Sequence, residues 1–216
     1  MGNASLRKAI LNEQWEDVRV MIKKESVMER IRNKNYIIPD RTVAEDQLVT
    51  ALHLACSRDP PEDVLLTLLH LNLQSALTPS SPGGELPIHC AVRRAGQRKK
   101  RKFFSVEAVR ILLDYSDASQ QMSQQSSSEK GAFTPLHLAC AVRAPCEVIR
   151  LLHEADLDSS RICLDAEHRT AWEIAKIKNH WIRYPTWRKN VKAILRGSDP
   201  VVYSEELNDE PNPAAP

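Results

Sequence analysis

The chain has 216 residues, of which 42% are hydrophobic and 27% are charged, so it can bury the core of one or two domains or of one repeat array. Only 5% of the residues are aromatic and six are glycine, a composition that favours helices over a β-rich fold. The formal net charge of +2 is too small to indicate a nucleic-acid-binding protein by itself.

The cysteines and the apolar runs predict where the protein resides. Five cysteines without a Cys-x-x-Cys pair argue against a disulfide framework and a zinc site, and they indicate a reducing compartment. The best apolar run, 64–73, falls short of the ~20 residues that a membrane helix needs. The first ten residues lack the apolar run of a secretory signal. We therefore expect a cytoplasmic or nuclear protein that does not bind a membrane.

A short pattern recurs along the chain, and each copy ends at an alanine. In chain order the copies read ASLRKA, TALHLA, LPIHCA, TPLHLA and TAWEIA, and they end at Ala9, Ala55, Ala91, Ala139 and Ala175. A second apolar block follows each copy and begins at Val18, Val64, Val109, Val148 and Val191. Because apolar residues in these blocks recur at i, i+3 and i+4, each copy predicts a pair of helices joined by a turn.

The copies TALHLA and TPLHLA, with the degraded copies LPIHCA and TAWEIA, resemble the Thr-Pro-Leu-His-x-Ala signature of the ankyrin repeat. The resemblance covers about residues 3–196 and implies an all-α solenoid of about five stacked helix pairs. The units would span about 3–23, 50–70, 86–114, 134–153 and 170–196, with insertions at 24–49, 93–104 and 116–132. We expect the acidic, proline-rich residues 197–216 to form a disordered tail.

Several residue types predict how the helices begin and pack. Thr50 and Thr134 can cap a helix start, and a proline at the first helical position follows in copies three and four. Asp59 is expected to cap the second helix of copy two, and Thr170 with Glu173 predicts a capping box. The residues expected to face the neighbouring unit are Leu52, Ile88, Leu136 and Trp172.

The resemblance also implies a structural role for three histidines of the motif. In ankyrin repeats a histidine at this place bonds to the backbone and to the motif threonine, and the residues here are His53, His89 and His137. The chain departs from the family in two ways. Leu86 replaces the threonine in copy three, and the glycine that separates the two helices of a unit is absent from every copy.

The insertions and the last copy carry the individual features of the chain. Residues 93–102, RRAGQRKKRK, contain seven basic residues, which we interpret first as a solvated loop. The alternatives are a contact with nucleic acid or a phosphoinositide, or a nuclear import signal at Lys99, Lys100, Arg101 and Lys102. The Ser/Gln-rich residues 116–132 are expected to be flexible and open to phosphorylation. Trp181 and Trp187 are expected to cover the end of the stack.

The pattern predicts a binding protein that is not an enzyme. The sequence contains no G-x-G-x-x-G, P-loop, G-x-S-x-G or H-E-x-x-H motif, so we expect no catalysis, no cofactor and no metal. We expect a monomer that binds a protein partner through the residues just past the motif, Ser57, Arg58, Arg93, Arg94, Val142 and Arg143. Because this face is basic, an acidic segment is the expected partner. The alternative is a nuclear regulator that uses residues 93–102 for import or for contact with nucleic acid.

Overall fold

The computed structural model of the chain describes residues 2–33, 38–39, 48–80, 83–99, 102–103, 106–115, 133–155, 165, 167–177 and 185–196. Its helices are α1 (Gly2–Leu11), α2 (Trp15–Ile22), α3 (Glu25–Arg32), α4 (Ala51–Cys56), α5 (Glu62–Leu71), α6 (Pro87–Ala95), α7 (Glu107–Tyr115), α8 (Pro135–Val142), α9 (Cys146–Ala155), α10 (Ala171–Ile177) and α11 (Pro185–Leu195). A 3-10 helix spans Leu73–Leu77. The described strands form two short antiparallel pairs. Strand β1 (Ile38–Pro39) pairs with β2 (Leu48–Val49), and β3 (Arg98–Lys99) pairs with β4 (Lys102–Phe103). The described residues are mostly helical, as the predicted all-α class requires.

The helices form consecutive pairs in two layers. The pairs are α1 with α2, α4 with α5, α6 with α7, α8 with α9, and α10 with α11. In the first layer each helix contacts the next in the order α1, α4, α6, α8, α10. The second layer follows the order α2, α5, α7, α9, α11, with α7 in contact with both α5 and α9. The buried residues form one continuous cluster that runs through both layers.

The recurring residues of the sequence pattern lie in this core. The alanines that end the five copies are at most 3% exposed, and the five aligned valines of the second layer are fully buried. Leu52, Ile88 and Leu136 are buried as predicted, whereas Trp172 is half-buried and packs against the cluster. The small alanine side chains leave room for neighbouring helices of the first layer to approach closely.

The first helices begin where the motif predicts. The hydroxyl oxygens of Thr50 and Thr134 accept from the backbone N–H three residues later. The Thr170 amide donates to Glu173 Oε2 at 2.7 Å, and the Glu173 amide donates to Thr170 Oγ1 at 3.3 Å, so the predicted capping box is confirmed. Leu86 offers no acceptor, but its side chain is buried at the start of α6.

Three sequence predictions need correction. Asp59 does not cap α5, which begins at Glu62 directly after Pro61 and has no side-chain cap; Asp59 itself has a φ of 57°. The segment 24–49 is more than a connection, because it contains α3, whose buried Val27 and Ile31 pack toward α2 and α5. The basic insertion begins later than residue 93, since α6 continues to Ala95 and includes two of its arginines. The predictions on Trp181, 116–132 and 197–216 concern residues outside those that the structure describes.

Two contacts fix the direction of the second-layer helices. Trp187 Nε1, near the start of α11, donates to the carbonyl of Ala144, just before α9, at 2.9 Å. Arg110 of α7 donates to Glu147, in the first turn of α9, at 2.7 Å. The N-terminal ends of α7, α9 and α11 therefore lie along the same edge of the molecule.

The turns between paired helices place non-glycine residues in the left-handed region. Glu13, Asp59 and Arg143 each lie four residues after the alanine that ends the motif, and their φ angles are 57°, 57° and 55°. In the ankyrin repeats that the sequence resembles, a glycine lies in this part of the unit. A side chain at such an angle costs about 1–2 kcal/mol, because Cβ crowds the following carbonyl.

We expect Arg143→Gly to yield a more stable protein than Arg143→Ala, by about 1 kcal/mol. Both substitutions remove the same side-chain contacts, so their difference isolates the backbone strain at the end of α8. Urea denaturation followed by circular dichroism measures it. Equal stability of the two variants would contradict the strain at this position.

Candidate functional site

The motif histidines link each unit to the segment that precedes the next. Thr50 Oγ1 lies 2.8 Å from His53 Nδ1, and the Thr50 amide also donates to Nδ1. The ring proton therefore lies on Nε2, which donates to the carbonyl of Glu85 at 2.9 Å. His89 and His137 reach the carbonyls of Phe133 and Arg169 in the same way, each at 3.1 Å. The predicted bonds to backbone and threonine are confirmed for His53 and His137. At His89, where Leu86 replaces the threonine, the Leu86 amide donates to Nδ1. The bond from each ring to the following segment was not foreseen.

Burial keeps two of these histidines neutral. It lowers the pKa of His53 and of His89 to about 4, although the bond from each ring to a carbonyl favours the charged form and opposes the shift. At neutral pH both rings are therefore uncharged links between helices.

Three of the described cysteines have thiols of low reactivity. Burial raises the pKa of Cys90 and of Cys140 to about 12 and that of Cys56 well above its ordinary value. Because the thiolate is the reactive form, these thiols are weak nucleophiles. Cys56 and Cys140 pack as small apolar residues, 1% exposed.

Within the described residues no group of three or more His, Cys, Asp or Glu side chains is placed to hold a metal ion. The same part of the chain contains no helix that is long and apolar enough to cross a membrane.

The predicted binding residues lie at the C-terminal ends of three first-layer helices. Ser57 ends α4, and its hydroxyl donates to the Leu54 carbonyl at 2.7 Å. Arg58 follows and is half-buried, with an Nε that has no hydrogen-bond partner. Val142 and Arg143 occupy the end of α8, both half-buried. The surface formed by Ser57, Arg58, Arg93, Arg94, Val142 and Arg143 is called the first-helix edge below.

The two arginines of α6 have acidic partners that the sequence did not predict. Arg93 forms an ion pair with Glu85, and its side chain is 46% exposed. Arg94 is only 13% exposed, and it donates to Glu13 at 3.0 Å and to Gln97 at 3.1 Å. Since Glu13 follows α1, this bond joins the first helix pair to the third. Arg93 is thus the more accessible of the two charges.

A close approach between α6 and α8 fixes the shape of the edge. A Cβ added to Gly96, the residue after α6, would lie 2.5 Å from Val142 Cγ2 and 3.1 Å from the Val142 carbonyl oxygen. The φ of Gly96 is −73°, so contact with Val142 and not backbone conformation requires glycine here.

We expect Gly96→Ala to destabilise the protein by about 1–3 kcal/mol, because the new methyl group overlaps Val142. Gly83→Ala is the matched control, since a Cβ there would meet only ordinary contacts at 3.8 and 3.9 Å. Adding Val142→Ala should restore part of the loss in thermal unfolding. A Gly96→Ala protein as stable as the Gly83→Ala protein would contradict this packing.

Lys99 and Lys102, two of the predicted import residues, lie in the paired strands β3 and β4. Lys99 lies opposite Lys102, and Arg98 lies opposite Phe103, in the register of β3 and β4. Lys100 and Arg101 lie outside the described residues. The import signal and the nucleic-acid contact stay predictions.

The turn before α10 contains a buried carboxylate, that of Asp165, which was not predicted from the sequence. Asp165 Oδ1 accepts from the amides of Glu167 and Arg169 at 2.9 and 2.8 Å, and Oδ2 accepts from the Arg169 guanidinium. Burial raises the pKa of Asp165, but these hydrogen bonds outweigh it and leave the pKa below its ordinary value. The turn holds the Arg169 carbonyl where His137 binds it. An aspartate that closes a turn just before Thr170 is the sequence signal for this role.

No protein-family model matches the chain, and no curated protein matches it. Its function is therefore inferred from its own residues and their geometry.

Proposed function

We propose that the chain is an ankyrin-repeat protein that binds another protein and catalyses no reaction. The recurring motif and the two layers of helix pairs support this proposal. The observation that carries it is the histidine link. His53, His89 and His137 occupy the same position of three successive first helices, and each bonds the carbonyl just before the next one.

Such a stack separates the residues that hold it together from those that vary. The alanine and valine positions are the same in every unit and lie in the core. The residues at the ends of the first helices differ between units, with Ser57 and Arg58 in one, Arg93 and Arg94 in the next, and Val142 and Arg143 in the third. Repeat proteins bind partners through extended surfaces of this kind. The first-helix edge is therefore the proposed binding surface.

An acidic protein segment suits this edge. Arg58, Arg93 and Arg143 supply positive charge, and the planar guanidinium group binds carboxylates with two parallel hydrogen bonds. The Arg93 side chain is 46% exposed in its pair with Glu85, so a partner carboxylate can reach its guanidinium group. Arg94 is less accessible and keeps its role within the stack.

The proposal is tested by comparing two variants that each lose three positive charges. One carries Arg58→Gln, Arg93→Gln and Arg143→Gln. The control carries Lys23→Gln, Arg150→Gln and Lys189→Gln, which are exposed side chains in or next to the second layer. Both are used in affinity purification with quantitative mass spectrometry, with and without nuclease.

We expect the first variant to lose a protein partner at least about tenfold, as a loss of 1.4 kcal/mol or more implies, while the control keeps it. Equal recovery by the two variants would contradict the proposed surface. Recovery that disappears on nuclease treatment would support the nucleic-acid alternative in place of protein binding.

A further inference from the structure

Arg58 differs from the other arginines of the first-helix edge in its surroundings. Arg93 and Arg94 each bind a carboxylate, and Arg143 also has a partner. The half-buried side chain of Arg58 has no ion pair or hydrogen bond with any residue in the described part of the chain. Because a charge that is taken out of water is normally paired, the state of Arg58 requires an explanation.

The position of Arg58 in the repeat is the one at which the next unit forms an ion pair. Arg58 lies three residues after Ala55, just as Arg94 lies three residues after Ala91. Arg94 donates to Glu13 at 3.0 Å. Because α4 lies between α1 and α6 in the first layer, this bond spans the C-terminal end of α4, which lies two residues before Arg58. The carboxylate at this corner is therefore bound by Arg94, and the charge of Arg58 is left over.

The free protein gains little from this guanidinium group. Its Nε is buried and has no hydrogen-bond partner among the described residues, and a buried donor without an acceptor destabilises the folded state. A helix C-terminus attracts a nearby cation, which is the alternative explanation. However, α4 has only six residues, so its dipole is small. A residue that lowers the stability of the free protein is typical of a binding site.

We propose that Arg58 is the anchor of the first-helix edge and binds one carboxylate of the partner protein. The planar guanidinium group binds two carboxylate oxygens with parallel hydrogen bonds, so a single Asp or Glu side chain neutralises it. Half-burial strengthens the attraction, because less water screens the charge. The inference rests on the proposed function for the source of the carboxylate. The affinity of Arg58 for carboxylates is a property of the free protein and is tested without the partner.

The two arginines of α6 contribute less to partner binding than Arg58. A partner carboxylate at Arg93 or Arg94 competes with Glu85 or Glu13, which the fold already holds in place. A competing group within the same molecule has a high effective concentration. The binding energy of the edge is therefore concentrated at Arg58, as interfaces commonly concentrate it in a few residues.

Nuclear magnetic resonance of the arginine Nε–H groups tests carboxylate binding directly. Acetate replaces chloride at constant ionic strength, and an Arg58→Lys spectrum assigns the resonance. Arg150 is the matched reference, because it also has no ion pair within the described residues but lies exposed on α9. We expect acetate to bind at Arg58 with at least about threefold the affinity that it has at Arg150, since half-burial strengthens the attraction. A resonance of Arg58 that responds no more than that of Arg150 overturns the inference and leaves the proposed function standing.

Thermal unfolding separates a binding residue from a structural one. Arg58→Met removes the charge and keeps the apolar stem. We expect its Tm to equal that of the unaltered chain or to exceed it by up to about 4 °C, because a buried unsatisfied donor is lost. Arg94→Met should lower the Tm, since it leaves Glu13 without its cation. If Arg58→Met lowered the Tm as much as Arg94→Met, Arg58 would belong to the structural framework and the inference would fail.

Recovery of the partner links Arg58 to the proposed function. The single variants Arg58→Gln, Arg93→Gln and Arg150→Gln are compared by the same affinity purification as the triple variants. We expect Arg58→Gln to lower recovery at least about tenfold and Arg93→Gln to lower it by no more than about threefold, while Arg150→Gln leaves it unchanged. Equal losses for Arg58→Gln and Arg93→Gln would overturn the anchor role but not the proposed function. Undiminished recovery by Arg58→Gln and by the triple variant that contains it would contradict both.

Discussion

Leu136→Asp is expected to unfold most of the helix stack. Leu136 is 1% exposed in α8, which contacts α6 on one side and α10 on the other. The substitution removes a buried side chain worth about 2–5 kcal/mol and places a carboxylate where it has no partner. The combined loss of roughly 5 kcal/mol or more approaches the 5–15 kcal/mol that stabilises a typical domain.

The same substitution at an exposed leucine is the control. Leu73 begins the 3-10 helix and is 53% exposed, so Leu73→Asp should change stability by no more than about 0.5 kcal/mol. Far-UV circular dichroism and urea denaturation compare the two variants. Similar unfolding midpoints for Leu136→Asp and Leu73→Asp would show that Leu136 does not hold the layers together.

Hydrogen exchange tests how far the damage spreads. Because each pair contacts its neighbours, losing α8 removes its interfaces with both α6 and α10. We expect amides of α8 and α10 to lose all protection and amides of α4 to keep part of theirs. Uniform loss from α1 to α11 would indicate one cooperative unit in place of a chain of coupled units.

The sequence predicted the parts of the structure that repeat. The alanine, valine and histidine positions follow from local pattern, since one geometry recurs and each residue type suits its place in it. The role of Asp59 was predicted wrongly because the sequence Asp-Pro-Pro-Glu fits a helix cap as well as it fits the strained turn that forms. Helix α3 was missed because its buried residues Val27 and Ile31 lie among five charged and polar residues of the same helix, a composition that we interpreted as a connection.

The surroundings of the first-helix edge were predicted less completely, because its charges depend on contacts between distant residues. The pair of Arg94 with Glu13 spans 81 residues and exists only because the first and third helix pairs come close at this edge. The contact of Gly96 with Val142 likewise depends on how α6 and α8 pack. No local pattern encodes either distance. The place of these residues at the ends of the first helices follows the sequence pattern, whereas the pairing of Arg93 and Arg94 with carboxylates was not predicted.

The stability of the protein is expected to fall as the pH is lowered from about 6.5 to about 4. The ordinary pKa of histidine in an unfolded chain is about 6.5, whereas burial lowers the pKa of His53 and His89 to about 4 in the folded protein. For His89, the nearby Arg93 and His53 lower it further. Between these values the unfolded chain binds more protons than the folded one, so acid favours unfolding. Each histidine accounts for about 3 kcal/mol over the full window.

The slope of stability against pH identifies the groups responsible. Each proton taken up on unfolding contributes about 1.4 kcal/mol per pH unit, so His89→Gln should reduce the slope between pH 5 and 6 by about that amount. Glutamine retains a donor for the Phe133 carbonyl, which limits the structural loss.

The carboxylates titrate in a lower pH range than the histidines. The pKa values of Asp63, Asp165 and Glu173 are lowered in the folded protein, so these groups lose their contribution to stability only below their ordinary pKa values of about 4. Urea denaturation at closely spaced pH values separates the two ranges. A free energy of unfolding that stays constant between pH 6.5 and 5, or a slope that His89→Gln leaves unchanged, would show that the buried rings do not resist protonation. The links between units would then survive acid, and stability would fall only where the carboxylates titrate.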